Sequence, residues 1–226
     1  MAGVKRICLV GATGLVGRTL IEQAIPRSDV RLVGVARREV PLPYGARMEM
    51  LLADPSGWPE AIAASNADVL ACALGTTIRI AGSQEAFRAV DHDLVLACGR
   101  AAREAGIGHM IAVSSVSADR SSSNFYLRTK GEMEEGLGKL GFRRLDLLRP
   151  GLLLGKRDDS RPLEAMAQVL APLADTLVLH GKYRRYRSIR AATLAQAIFA
   201  FAHEKAQGRF VHEYDSIRFA LRRSGD

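Results

Sequence analysis

The chain has 226 residues, 48% of them hydrophobic, enough to bury the core of one domain. Its 32 Lys and Arg against 24 Asp and Glu give a formal charge of +8, which favours anionic ligands. The basic residues are scattered apart from Lys182 to Arg190, which reads as a solvated turn and strand end, and no aromatic-rich basic platform accompanies them, so nucleic acid is not an expected partner. No apolar run is long enough to span a bilayer, and no membrane partner is expected. Cys8, Cys72 and Cys98 sit in apolar runs. They read as buried, reduced residues of a cytoplasmic protein, with no disulfide set and no metal site. Lys5-Arg6 before Ile7 to Val10 is too short an apolar stretch for a signal peptide.

Val4 to Val10 is apolar and β-branched and predicts a buried strand. It runs into Gly11-Ala12-Thr13-Gly14-Leu15-Val16-Gly17, and Arg18 to Ala24 follows as a helix. Gly11 lets the chain reverse, Gly14 lets backbone approach a pyrophosphate, and Gly17 lets helix and strand pack closely. The unpaired amides at the helix start favour an anion. Val30 to Ala36 predicts the second strand, ending at Arg37-Arg38 with no acid before Glu39. An acid at this place would bind a ribose 2′-hydroxyl, whereas guanidinium suits a 2′-phosphate. NADP(H) is therefore expected over NAD(H).

Met48 to Leu52 predicts a third strand; Asp54 after it either contacts the adenine amine or begins the turn at Pro55-Ser56-Gly57. Trp58 to Ala63 is a short helix, and Ala67 to Ala73 a fourth buried strand entering Leu74-Gly75-Thr76-Thr77. Those small residues at a strand's carboxyl end would let backbone lie along a cofactor. Gln84 to Ala105 predicts one long helix and His109 to Val113 the fifth strand, leading to Ser114-Ser115-Val116-Ser117. A helix over Tyr126 to Leu140 and a sixth strand over Arg144 to Leu148 come next. The alternation predicts an α/β fold of Rossmann type: a doubly wound, mainly parallel sheet with a small C-terminal extension. Beyond Gly151 the expected elements are a helix over Leu163 to Leu170, a short strand over Thr176 to Leu179, a helix over Ala191 to His203, a strand over Gly208 to His212 and a basic tail from Ile217. Residues 1–226 are expected to form a single domain, with 151–226 as a small substrate-side or lid region.

Tyr126 and Lys130 are four apart on a predicted helix, hence on one face. A phenol, with a pKa of ~10 in water, is a poor base at neutral pH. A nearby ammonium and a cationic nicotinamide both favour the phenolate. Tyr126 could then exchange a proton with a substrate hydroxyl or carbonyl, while Ser115 or Ser114 holds the substrate oxygen. Ser117, Ser121, Ser122, Ser123 and Asn124 read as loop and helix-cap residues.

The G-A-T-G-L-V-G turn, the S-S ahead of Y-x-x-x-K and the R-P-G after the sixth strand resemble the short-chain dehydrogenase/reductase superfamily, in its atypical and extended branches. C-A-L-G-T-T at Cys72 to Thr77, S-S-N-F-Y-L at Ser122 to Leu127, R-P-G-L-L-L-G at Arg149 to Gly155 and S-R-P at Ser160 to Pro162 are similar to its Tat-interacting-protein oxidoreductase group and bacterial relatives. The resemblance covers Lys5 to Pro162. It implies a Rossmann fold with bound NADP(H). It implies cofactor contacts at Gly11, Thr13, Gly14, Leu15, Val16, Gly17, Arg37, Arg38, Leu74, Gly75, Thr76, Tyr126, Lys130 and Leu153, with Arg161 a further candidate. It implies catalysis by Tyr126 beside Lys130. Matching S-S-V-S to the superfamily pattern selects Ser115, while counting back from Tyr126 within the closer group admits Ser114. The Ser-to-Tyr spacing is shorter than in fuller enzymes of the superfamily, which bears on where the serine stands. The lack of the larger C-terminal domain with which extended members bind nucleotide sugars counts against a sugar epimerase or dehydratase. The expected function is hydride transfer to or from a small carbonyl or alcohol substrate. The alternative is a weakly catalytic or non-catalytic NADP(H)-binding regulator or scaffold with a protein partner. A monomer or homodimer suits either.

Overall fold

A computed structural model describes residues 3–155 and 181–223. Seven strands form one sheet: β1 (Lys5–Val10), β2 (Val30–Ala36), β3 (Glu49–Leu52), β4 (Val69–Cys72), β5 (His109–Val113), β6 (Arg144–Leu148) and β9 (Gly208–His212). Their spatial order is β3-β2-β1-β4-β5-β6-β9, and every neighbouring pair is parallel. A parallel sheet covered on both faces needs strands that are apolar on both faces, and β1 and β4 meet that need. Ile7 and Leu9 join one core with Leu20, Ile21, Leu194, Ile198 and Phe199. Cys8 and Val10 point the other way, into a second core with Trp58, Ile62, Val95, Cys98, Met133 and Leu137. The order of strands reverses between β1 and β4, where doubly wound sheets open a crevice at their carboxyl ends.

The covering helices are α1 (Leu15–Ala24), α2 (Trp58–Ala64), α5 (Val95–Glu104) and α6 (Phe125–Gly138), with α7 (Ala191–Ala202) and α8 (Tyr214–Arg223) from the C-terminal part. Helix α1 starts three residues earlier than the Arg18 expectation, because Gly14 is its N-cap. Two further corrections concern the stretch after β4. A short helix, α3 (Ile78–Ala81), follows Leu74–Thr77 where no element was expected, capped by the Thr77 side chain accepting from the amide of Ile80. The single helix expected over Gln84 to Ala105 is divided: α4 (Gln84–Arg88), then a π-helical turn over Ala89–Leu94, then α5. The wider turn carries Asp91, a buried carboxylate, inward.

The part after Gly151 divides in two. Helix α7 lays Leu194, Ala195, Ile198 and Phe199 into the core beside α1, and β9 adds the seventh strand alongside β6. A helix buried to this extent belongs to the sheet's covering layer. Gly151, Leu152 and Leu153 line the crevice; β7 (Leu153–Leu154) pairs with β8 (Ile189–Arg190), which follows a 3-10 turn over Gly181–Tyr186. The basic stretch from Lys182 to Arg190 thus forms a turn and a strand. The helix expected over Leu163 to Leu170, the strand over Thr176 to Leu179, and Arg161 lie outside the described residues, as do residues 224–226.

The far side of the sheet holds a buried polar knot. Arg144 donates through Nε and an Nη to both oxygens of Asp146, at 2.7 Å each. His109 Nε2 and His212 Nε2 lie 2.7 and 2.8 Å from the same carboxylate. Burial alone would raise the pKa of Asp146, but the hydrogen bonds from His109, His212 and Arg144 overcome it and hold the carboxyl well below the usual range.

Candidate active site

A cleft of about 670 Å³ opens at the carboxyl ends of β1, β4, β5 and β6. The turn between β1 and α1 forms one wall. Gly11 has φ of +94°, and a Cβ there would stand 2.5 Å from the carbonyl carbon of Ala73. A Cβ on Gly17 would stand 2.2 Å from the oxygen of Gly11, so helix and turn touch at that point. At Gly14 a Cβ would meet nothing nearer than Gly11 O at 3.5 Å, and the residue faces the cleft. Gly14 gives the amides of α1 no side-chain cap, and the first turn has no acidic residue. These amides, the open side of Gly14 and Arg18 beside them on the cleft wall suit a diphosphate.

The opposite wall comes from the loop after β4, the end of β5 and helix α6. Asn124 accepts from the amide of Leu127 and starts α6, which places Tyr126 and Lys130 on its cleft side. The Tyr126 ring leans on buried Phe87, with centroids 5.6 Å apart. Lys130 Nζ is 2.7 Å from Asp91 Oδ1, with only 5% and 1% of the two side chains exposed. The other oxygen of Asp91 accepts from the Thr76 amide at 2.8 Å. One carboxylate therefore holds both the lysine and the loop Leu74–Thr77. Ser114 and Ser115 lie across from Tyr126 at the end of β5. The Ser115 hydroxyl donates to the Val116 carbonyl at 3.3 Å, whereas the Ser114 hydroxyl is buried without a hydrogen-bond partner among the described residues.

Sequence reasoning missed Asp91. Its signal was the helical stripe: Asp91 is four residues after Phe87 and four before Val95, and all three are buried. An acid at such a position is expensive unless paired, and Lys130 is its partner.

The cleft brings together Thr13, Gly14, Leu15, Val16, Leu74, Gly75, Thr76, Ser114, Ser115, Tyr126, Lys130 and Leu153. Gly11 and Gly17 shape the turn from behind it. Arg37, Arg38 and Asp54 are exposed and stand outside the lining. The arginines come directly after β2, next to β1 in the sheet, and Asp54 precedes the 3-10 turn Pro55–Gly57, its backbone carbonyl accepting from the Gly57 amide and its side chain making no cap. Ser117 donates to the Tyr186 hydroxyl at 3.0 Å, tying the 181–186 turn to the end of β5. That bond, with one from Arg185, lowers the pKa of the Tyr186 phenol.

Known proteins align with this chain over most of its length. Protein fmp52, mitochondrial, of Emericella nidulans is 37% identical over 175 residues, covering 74% of this chain and 75% of the relative. Protein FMP52, mitochondrial, of Candida albicans is 33% identical over 206 residues, covering 88% and 89%. The Bordetella bronchiseptica enzyme WbmH, solved with NAD+, superposes with a TM-score of 0.69 at 14% identity, over 93% of this chain and 76% of that one. A UDP-glucose 4-epimerase from Bifidobacterium longum, solved with NAD+ and UDP, gives 0.69 at 15% identity, over 92% and 77%. These structures share the Rossmann-type fold. The names of the fungal relatives overturn the cytoplasmic expectation. That expectation rested on reduced cysteines, and burial explains those by itself: it pushes the Cys8 and Cys72 thiols up to about 11, whatever compartment surrounds them. A family model described as NAD(P)H-binding matches residues 11–154, across the glycine turn, the Asp91–Lys130 pair and Tyr126, and the chain belongs to that NAD(P)H-binding family.

Proposed function

We propose that the protein is an NADP(H)-dependent oxidoreductase of the short-chain dehydrogenase/reductase type, similar to its Tat-interacting-protein group, acting on a small carbonyl or alcohol. The observation that carries this reading is the meeting of Tyr126, Lys130 and two serines in the same cleft as the glycine turn. The α1 amides would hold the diphosphate, the Leu74–Thr76 backbone would run along the dinucleotide, and Arg37 and Arg38 would pair with the 2′-phosphate. The cofactor, when bound, supplies or accepts the hydride. The chain's own residues do the rest. Asp91 fixes Lys130, whose ammonium would hydrogen-bond the nicotinamide ribose and favour the Tyr126 phenolate. The Tyr126 phenol gives its proton to the substrate oxygen in reduction and takes it back in oxidation. A serine hydroxyl donates to the same oxygen and orients it. Ser114, whose hydroxyl has no other partner among the described residues, is available for that bond as well as Ser115.

The test is calorimetry with NADPH and NADH, alongside turnover on a panel of aldehydes and ketones. NADPH should bind more tightly than NADH, and Arg37→Ala with Arg38→Ala should close the gap. Tyr126→Phe should keep NADPH affinity within about threefold and lower kcat by about 10²-fold or more. Turnover undiminished by Tyr126→Phe would remove the phenol from the reaction. Tight NADPH binding with no turnover on the panel would support the cofactor-holding regulator instead.

A further inference from the structure

The opening of the cleft beside Tyr126 is greasy. Ile78 and Ile80 of α3 and Leu152 after β6 line it with 40%, 60% and 49% of their surface exposed. Large hydrophobic side chains left in water are common singly, but three around one opening mark a surface that takes an apolar ligand. Charge points the same way. Among the described residues, the charged side chains lining the cleft are Arg18, Asp91 and Lys130. Asp91 and Lys130 neutralise each other, and Arg18 stands on the first turn of α1 at the diphosphate end. Thr77, a polar residue of the lining, already caps α3. The polar groups that could meet a ligand's oxygen include Tyr126 and the Ser114 hydroxyl, which is buried without a partner among the described residues.

We propose that the substrate is a neutral aliphatic carbonyl compound, or the matching alcohol, whose single oxygen reaches Tyr126 and Ser114 while its hydrocarbon body lies on Ile78, Ile80 and Leu152. This rests on the oxidoreductase reading above. In the reduction the carbonyl carbon gains the hydride and its oxygen gains the Tyr126 proton; NADPH is oxidised to NADP+, and the phenol recovers a proton from water. A charged body such as a nucleotide sugar would set its hydration shell against Ile78, Ile80 and Leu152, since Arg79 of α3 stands outside the cleft lining.

The experiment titrates the NADPH complex with butanamide, octanamide and UDP-glucose. The amides carry a carbonyl that hydride does not reduce, so binding is read without turnover. Octanamide should bind about tenfold more tightly than butanamide, below the gain for full burial of four methylenes because the rim stays partly wet. Ile80→Ser with Leu152→Ser should shrink that ratio to about twofold while leaving NADPH affinity in place. In turnover, kcat/KM for octanal over butanal should follow the same ratio. Equal affinity for the two amides, or tighter binding of UDP-glucose, with NADPH bound normally, would overturn the aliphatic assignment and leave the oxidoreductase reading standing. Failure to bind NADPH would overturn both.

Discussion

Asp91 sets the geometry of the candidate site although it belongs to neither the glycine turn nor the Tyr126–Lys130 motif. Its two oxygens are spent on Lys130 and on the Thr76 amide, so the carboxylate joins helix α6 to the loop after β4. Removing one member of a buried ion pair strands the other charge, which costs about 3–5 kcal/mol. Asp91→Ala should therefore lower stability in urea by that amount and weaken NADPH binding, because the Leu74–Thr76 backbone loses its anchor. Asp91→Asn keeps an acceptor for Thr76 and should recover most of the loop but not the lysine. Calorimetry and urea melts on both variants check this. Equal cofactor affinity in Asp91→Ala and the native protein would mean that the loop does not need the carboxylate.

At the scale of elements, the turn between β1 and α1 distinguishes a glycine needed for packing from one that is open to the cleft. A methyl group on Gly17 would overlap the Gly11 carbonyl, and α1 would have to move off the strand. Gly17→Ala should cost about 1–3 kcal/mol in stability, the usual range for overpacking. A side chain on Gly14 meets only ordinary contacts inside the protein. Gly14→Val should therefore fold with a near-native melting point yet lose NADPH affinity by about tenfold or more, since the branched side chain occupies the approach to the α1 amides. A destabilised Gly14→Val, or one that binds NADPH normally, would show that the two glycines do not divide the work this way. The π-helical turn belongs to this scale too. A regular helix over Ala89–Leu94 would rotate α5 about its own axis; the wider turn keeps Val95 and Cys98 in the core while Asp91 faces Lys130.

For the molecule as a whole, stability in acid depends on the knot around Asp146, which ties β5, β6 and β9 together at 0% exposure. A carboxyl whose folded pKa is depressed stabilises the fold above its unfolded pKa, ~3.9, and that contribution is lost as pH falls toward the folded value. The urea midpoint should fall as pH drops below about 4, and it should fall less in Asp146→Asn. At neutral pH that variant should be less stable by about 3–5 kcal/mol, because Arg144 would keep its charge without a full partner. Parallel pH curves for the two proteins would remove Asp146 from the acid response.

The order of strands and helices through Leu148 was legible in the residues. Each signal there is local: an apolar run, a glycine at a turn, a Tyr and a Lys one helical turn apart. The glycine turn and the Tyr126–Lys130 face could be read for the same reason, since neighbours in sequence make both. Other features depend on partners distant in the chain, and only the folded structure decides those. The stripe of Phe87, Asp91 and Val95 turns Asp91 inward, but its partner is not in the local sequence: α6 brings Lys130 to it. The break in the helix after α4 comes with that pairing, so periodicity alone predicts one straight helix. The partners of the C-terminal elements are also distant in the chain: β9 pairs with the edge of β6, and α7 packs on α1. The greasy mouth of the cleft is likewise a tertiary fact. Ile78, Ile80 and Leu152 are ordinary apolar residues in sequence, and their meaning comes from standing together, exposed, around one opening.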